Sequence, residues 1–191
     1  MNKGRLEAFS DGVMAIIITI MVLELVAPEE PDLAALVPLV PTFLSYALSF
    51  IFIGIYWNNH HHLFQAAENV NGSVLWANMH LLFWLSLVPF ATAWMGETNF
   101  AAMPVALYGI VLLLAAVAYY LLSRALVTLH GEDSVLAGAI GSDFKGRASL
   151  VIYLVGIALA LVNPWLSCGL YVLVAILWFI PDRRIERILT S

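Results

Sequence analysis

Charged and strongly polar positions are sparse along this chain, and the intervals between them set its architecture. The run Arg5-Leu6-Glu7-Ala8-Phe9-Ser10-Asp11-Gly12-Val13 starts like a capped helix and then continues without a charge from Asp11 to Glu24. Further apolar runs follow, each closed by polar, proline or glycine residues. Together they predict helices over approximately 6–26, 36–57, 74–95, 103–122, 148–162 and 166–180. Roughly 17–25 apolar residues carry a helix across a bilayer, so each of the four longer runs is a complete span. The last two are short, and Asn163-Pro164-Trp165 between them reads as the turn of a close antiparallel pair. The expected fold is all-α: one integral membrane domain over 1–191, six transmembrane helices per subunit and no soluble domain. The polar stretch from Ser123 to Arg147 is expected to be a connection between spans four and five.

The first helix has two unlike faces. Ile16, Ile20 and Leu23 fall at i, i+4 and i+7 and form a narrow apolar stripe. Asp11 lies about 180° from Ile20 at 100° per residue. Such a stripe suits a packing seam, a lipid-facing surface or the wall of a conduit; on the wheel alone, a packing face is the commonest use.

Composition fixes the class. Hydrophobic residues make up 62% of 191 and charged residues 11%, too little polar material to cover a soluble domain. The mean hydropathy is +0.93. Charge then orients the helices. With six spans all eight basic residues, Lys3, Arg5, Arg124, Lys145, Arg147, Arg183, Arg184 and Arg187, fall on the side of the N-terminus. The opposite loops hold Glu29, Glu30, Asp32 and Glu97 and no Lys or Arg, so both termini are expected in the cytoplasm of a multi-pass cell-membrane protein. An odd number of spans would divide the basic residues between the two sides. The first span is not read as a cleaved signal peptide, because Asp11 precedes its apolar stretch and the acidic Pro28-Glu29-Glu30-Pro31-Asp32 follows it. The single Cys168 excludes an internal disulfide, and a net charge of −5 gives nucleic acid no attraction.

Polar residues within the spans carry the candidate chemistry. Asp11, Asn78 and His80 stand at membrane depth, where an unpaired polar group costs several kcal/mol. Tyr56-Trp57-Asn58-Asn59-His60-His61-His62 closes the second span. Adjacent helical residues point about 100° apart, so the three histidines do not converge on one metal ion. A polar network of Arg5, Ser10, Asp11, Trp57, His60 or His61, and Asn78 is sterically possible at the inner side; separate wet interfacial positions are the plain alternative. Asp11 is expected to partner Arg5, His60 or Asn78. Pro89 is expected to kink the third span, with Thr92 satisfying a freed carbonyl, and Glu24 is read as a solvated acid at the outer end. No P-loop, H-E-x-x-H or nucleophile-elbow motif supports an enzyme, no T-V-G-Y-G run supplies a carbonyl filter, and no cofactor is expected. The first three spans hold the Asp, His and Asn residues, whereas the last three are nearly all aliphatic and aromatic, which suggests a functional half and a scaffolding half.

Arg5, Phe9-Ser10-Asp11-Gly12-Val13, Ala15-Ile16 and Thr19 resemble the first helix of the transmembrane protein 175 family, the lysosomal-type potassium channels with shorter six-helix prokaryotic relatives. Tyr56-Trp57, His60-His61 and Asn78 to Pro89-Phe90 are similar to that family's second and third helices. The resemblance implies a homotetramer in the bilayer whose first helices line a central pore. It implies that rings of Ile16, Ile20 and Leu23 form a hydrophobic constriction in place of a carbonyl filter, and that Thr19 modulates potassium preference. Arg5, Ser10 and Asp11 would hold the bundle together against the second and third helices. Potassium, with other monovalent cations, would be the permeant species. A proton-coupled secondary transporter using Asp11, His80 and one of His60 to His62 is the competing reading; it lacks the matched, broken helices usual in transporters.

Overall fold

The computed structural model describes residues 3–131, 134, 137–138 and 144–179, and every regular element among them is helical. Helix α1 spans Lys3–Leu23. A 3₁₀ turn over Leu33–Leu39 follows, begun by Asp32, whose carboxylate accepts from the Ala35 amide at 2.9 Å. Helix α2 spans Val40–Gln65, with Pro41 in its first turn, where a missing N–H costs nothing. Asn71 caps α3, Gly72–Ser86, by accepting from the Val74 amide at 3.0 Å. Helix α4 is Val88–Glu97, α5 is Ala102–His130, α6 is Phe144–Ala160 and α7 is Pro164–Phe179.

Several boundaries differ from the sequence expectation, each for a local reason. The predicted start of the second span is the 3₁₀ turn, because Pro38 cannot supply an amide to a continuing α-helix. At its other end α2 runs on through His60–His62 to Gln65. The third span is two helices broken at Leu87, because Pro89 has no N–H to give the Leu85 carbonyl and its ring crowds that turn. Thr92, however, donates to the Val88 carbonyl at 2.7 Å, one turn back in α4, and not to the carbonyl that Pro89 releases. The fourth helix does not end at Leu122. Leu122, Leu126 and Val127 are all buried, and this i, i+4, i+5 pattern carries α5 to His130. Part of the expected polar connection is therefore helix. Gly131, at φ 92°, stops it in a conformation that glycine adopts without a Cβ penalty. Ile180, the last residue of the predicted sixth span, and Arg183, Arg184 and Arg187 lie outside the described residues.

Helix α5 is the spine, packed on α3, α4, α6 and α7. Helix α1 lies at the edge against α2, α3 and α4. Helices α6 and α7 form the expected antiparallel pair: Ser167 donates to the Gly156 carbonyl at 2.7 Å and the Trp178 indole to Ser149 Oγ at 2.8 Å. Tyr171 wedges between them and α5, donating to the Val105 carbonyl at 3.3 Å. A Cβ at Gly109 would collide with that phenol, so the glycine makes room for the close approach.

Candidate functional site

Helix α1 divides by exposure into two faces. Leu6, Ser10, Met14, Ile17 and Met21, spaced by three or four residues, are buried against the subunit. On the other side Ile16, Ile20 and Leu23 are 59%, 44% and 75% exposed. The stripe is therefore not the packing seam within a subunit; a different set of apolar residues performs that task. Thr19 is also exposed, its hydroxyl donating to the Ile16 carbonyl at 2.9 Å.

Two polar contacts fix the rotation of α1. The first is buried. The Asn78 amide donates to Ser10 Oγ at 2.9 Å, and Ser10 in turn donates to the Leu6 carbonyl at 2.9 Å. The other end of the Asn78 side chain meets His60 Nε2 at 2.8 Å. With the Asn78 nitrogen committed to Ser10, its oxygen accepts, so His60 carries its proton on Nε2. One side chain from each of α1, α2 and α3 is thereby joined, and all three are fully buried. The second contact lies outside this core: the Trp57 indole donates to Asp11 Oδ1 at 3.0 Å, and the His61 ring stacks on Trp57 at 5.9 Å and 16°. Asp11, Trp57 and His61 are all exposed.

The single network expected from the sequence is thus two adjacent ones, and His60, not His61, enters the buried one. Asp11 partners Trp57 and none of Arg5, His60 or Asn78. Arg5 joins neither network within a subunit: it is exposed. Arg5, Ile16 and Leu23 stand at i, i+11 and i+18, so they project within about 20° of one another, and the guanidinium continues the exposed stripe toward the basic end. His80 donates nothing to either network; its Nε2 accepts from the Trp84 indole at 2.9 Å on the exposed side of α3. Glu24 is exposed just past the end of α1.

Three further anchors carried no signal that sequence reasoning used. Lys3 Nζ donates to the Phe64 and Ala67 carbonyls at 2.9 and 2.7 Å, tying the start of α1 to the end of α2. At the other end of the bundle Ser49 meets Thr92 at 2.6 Å and Tyr108 at 3.0 Å, joining α2, α4 and α5 beside Met21 of α1. The i, i+4 spacing of Ser45 and Ser49, both fully buried, was the available clue. At the basic end, His130 Nε2 accepts from the Glu68 and Asn69 amides at 3.1 and 3.3 Å. The arrangement holds α1 firmly along one face and leaves the other unpartnered over its whole length.

Residues 5–89 match the family described as "Endosomal/lysosomal potassium channel TMEM175". A potassium channel of Chryseobacterium sp. (strain P1-3) is 58% identical over 187 residues, 98% of this chain and 97% of the relative. The crystal structure of a lysosomal potassium-selective channel TMEM175 homolog from Chamaesiphon minutus superposes with a TM-score of 0.79 at 31% identity, covering 93% of this chain and 96% of that one. The endosomal/lysosomal proton channel TMEM175 of Homo sapiens is 33% identical over 103 residues, 48% of this chain but 20% of its own length.

Proposed function

The chain belongs to the TMEM175 family of channels, a multi-pass membrane fold and not an enzyme, and from this we propose that it is a potassium-permeable cation channel of the cell membrane. Four copies close around the exposed face of α1, with both termini in the cytoplasm. Ile16, Ile20 and Leu23 form stacked apolar rings, and Thr19 offers hydroxyls between them. The observation that carries this reading is the division of α1, packed and hydrogen-bonded on one side and bare on the other. A bare lipid-facing helix would not need its rotation fixed by a buried Ser10–Asn78–His60 relay; a pore-lining helix does. A ring of isoleucines cannot replace an ion's hydration shell. It excludes water when narrow and passes partly hydrated ions when wider.

The proton-coupled transporter reading would need Asp11 and the histidines to share a path. His60 instead faces Asn78, His61 stacks on Trp57 and His80 pairs with Trp84, which supports the channel. Reconstitution in liposomes under opposing potassium and sodium gradients tests it. The expected current reverses near the potassium equilibrium potential without a proton gradient; flux that requires such a gradient overturns the proposal.

A further inference from the structure

Away from α1, a cavity of about 290 Å³ opens between α2, α5, α6 and α7 at the basic end of the bundle. Its walls are largely apolar, with Phe52, Ile55, Ala116 and Leu150 among them. The polar groups on it divide into satisfied and unsatisfied. Asn59 donates to the Ile55 carbonyl at 2.8 Å, and Ser149 accepts from Trp178 and donates to the Lys145 carbonyl at 2.8 Å. The Tyr56 and Tyr153 side chains, 9% and 2% exposed, also line the cavity. Neither hydroxyl has a hydrogen-bond partner among the described residues, and both oxygens keep accessible surface, the one enclosed unpartnered side-chain atom among those residues being His62 Nδ1. Arg147 lines the same cavity with its side chain exposed, and it too has no hydrogen bond or ion pair to a described residue.

We propose that this cavity binds an acidic phospholipid of the inner leaflet, its phosphate on Arg147, its glycerol-ester oxygens on the Tyr56 and Tyr153 hydroxyls and the first part of an acyl chain among the apolar walls. These groups all have hydrogens to give, so a ligand rich in acceptors suits them. The guanidinium calls for an anion and suits phosphate geometry. Water alone could meet the polar groups but gains nothing from Phe52, Ile55, Ala116 and Leu150. Free phosphate would leave the apolar walls bare. A phospholipid combines an anion, ester oxygens and a chain, and the cavity lining combines an arginine, phenols and apolar side chains.

The test uses the purified full chain, stripped of lipid in mild detergent, with native mass spectrometry and thermal melting as readouts. Short-chain phosphatidylglycerol, phosphatidylcholine of equal chain length and inorganic phosphate are titrated separately. Phosphatidylglycerol is expected to bind and raise the melting temperature more than phosphatidylcholine. Arg147→Gln should weaken its binding about fivefold, the worth of one basic residue at a lipid surface, and bring it level with phosphatidylcholine. Ala116→Phe, which fills the cavity, should abolish both. If that variant fails to assemble, Tyr56→Phe with Tyr153→Phe keeps the rings and removes only the hydroxyls, and should weaken both lipids. Equal binding of the two lipids to the unmodified chain, indifference to Arg147→Gln, or stabilisation reproduced by inorganic phosphate alone would overturn the proposal.

Discussion

Asn78 is the residue on which the position of α1 depends most. Its amide links Ser10 to His60, and the three side chains are buried together. Asn78→Ala strands the His60 Nε2–H at membrane depth, at a cost of about 1–3 kcal/mol, takes a donor from Ser10 while leaving its bond to the Leu6 carbonyl, and should lower the detergent melting temperature clearly. Asp11→Ala should do less. Asp11 is exposed and loses one charged hydrogen bond to Trp57, worth roughly 1.5–3 kcal/mol at most and less where solvent competes. Melting curves that rank the two variants the other way would show that the exposed pair, not the buried relay, holds α1. Permeation should instead respond at Ile16. A ring of asparagines at this position holds water at every width, so Ile16→Asn is expected to raise conductance and reduce discrimination between potassium and sodium. The control is Leu154→Asn on α6, where the side chain is 57% exposed against 59% for Ile16 but belongs to the other half of the bundle. Indistinguishable bilayer currents from the two would refute the assignment of the pore face.

At the scale of elements, the second half of the chain is held by close contacts that its glycines permit. Gly109 and Gly156 both lie against the Tyr171 ring, which ties α7 to α5 and α6. Gly109→Ala puts a methyl where the phenol stands; overpacking of this kind costs typically about 1–3 kcal/mol, so a lower melting temperature with unchanged ion preference is expected. Changed selectivity in folded channels would instead mean that the second half reaches the pore. The break between α3 and α4 serves the opposite purpose. It lets α4 turn Thr92 toward Ser49, with Met21 of α1 alongside, so the C-terminal end of α1 rests on a satisfied polar junction.

At the scale of the molecule, a single α1 cannot enclose a conduit, and identical subunits usually close by cyclic symmetry. Mass photometry in mild detergent should therefore give four times the 21.0 kDa subunit plus its bound detergent. A stable monomer would leave the exposed stripe to lipid and remove the basis of the pore.

Periodicity and charge alone determined that the chain crosses the membrane, roughly where each helix lies, that the third span bends at Pro89 and that α1 carries an apolar stripe away from Asp11. These are local properties, set by residues within a few turns of one another. Which face of α1 packs, which partner Asp11 takes, the exclusion of Arg5 and the entry of His60 in place of His61 were decided only by tertiary structure. The contacts responsible join residues 46 apart for Asp11 and Trp57 and 68 apart for Ser10 and Asn78. A wheel gives a helix's faces but not its rotation against neighbours. That rotation comes from burying the Leu6–Met21 face and satisfying Ser10, Asn78 and His60 at once, and the observed arrangement of α1, α2 and α3 does both.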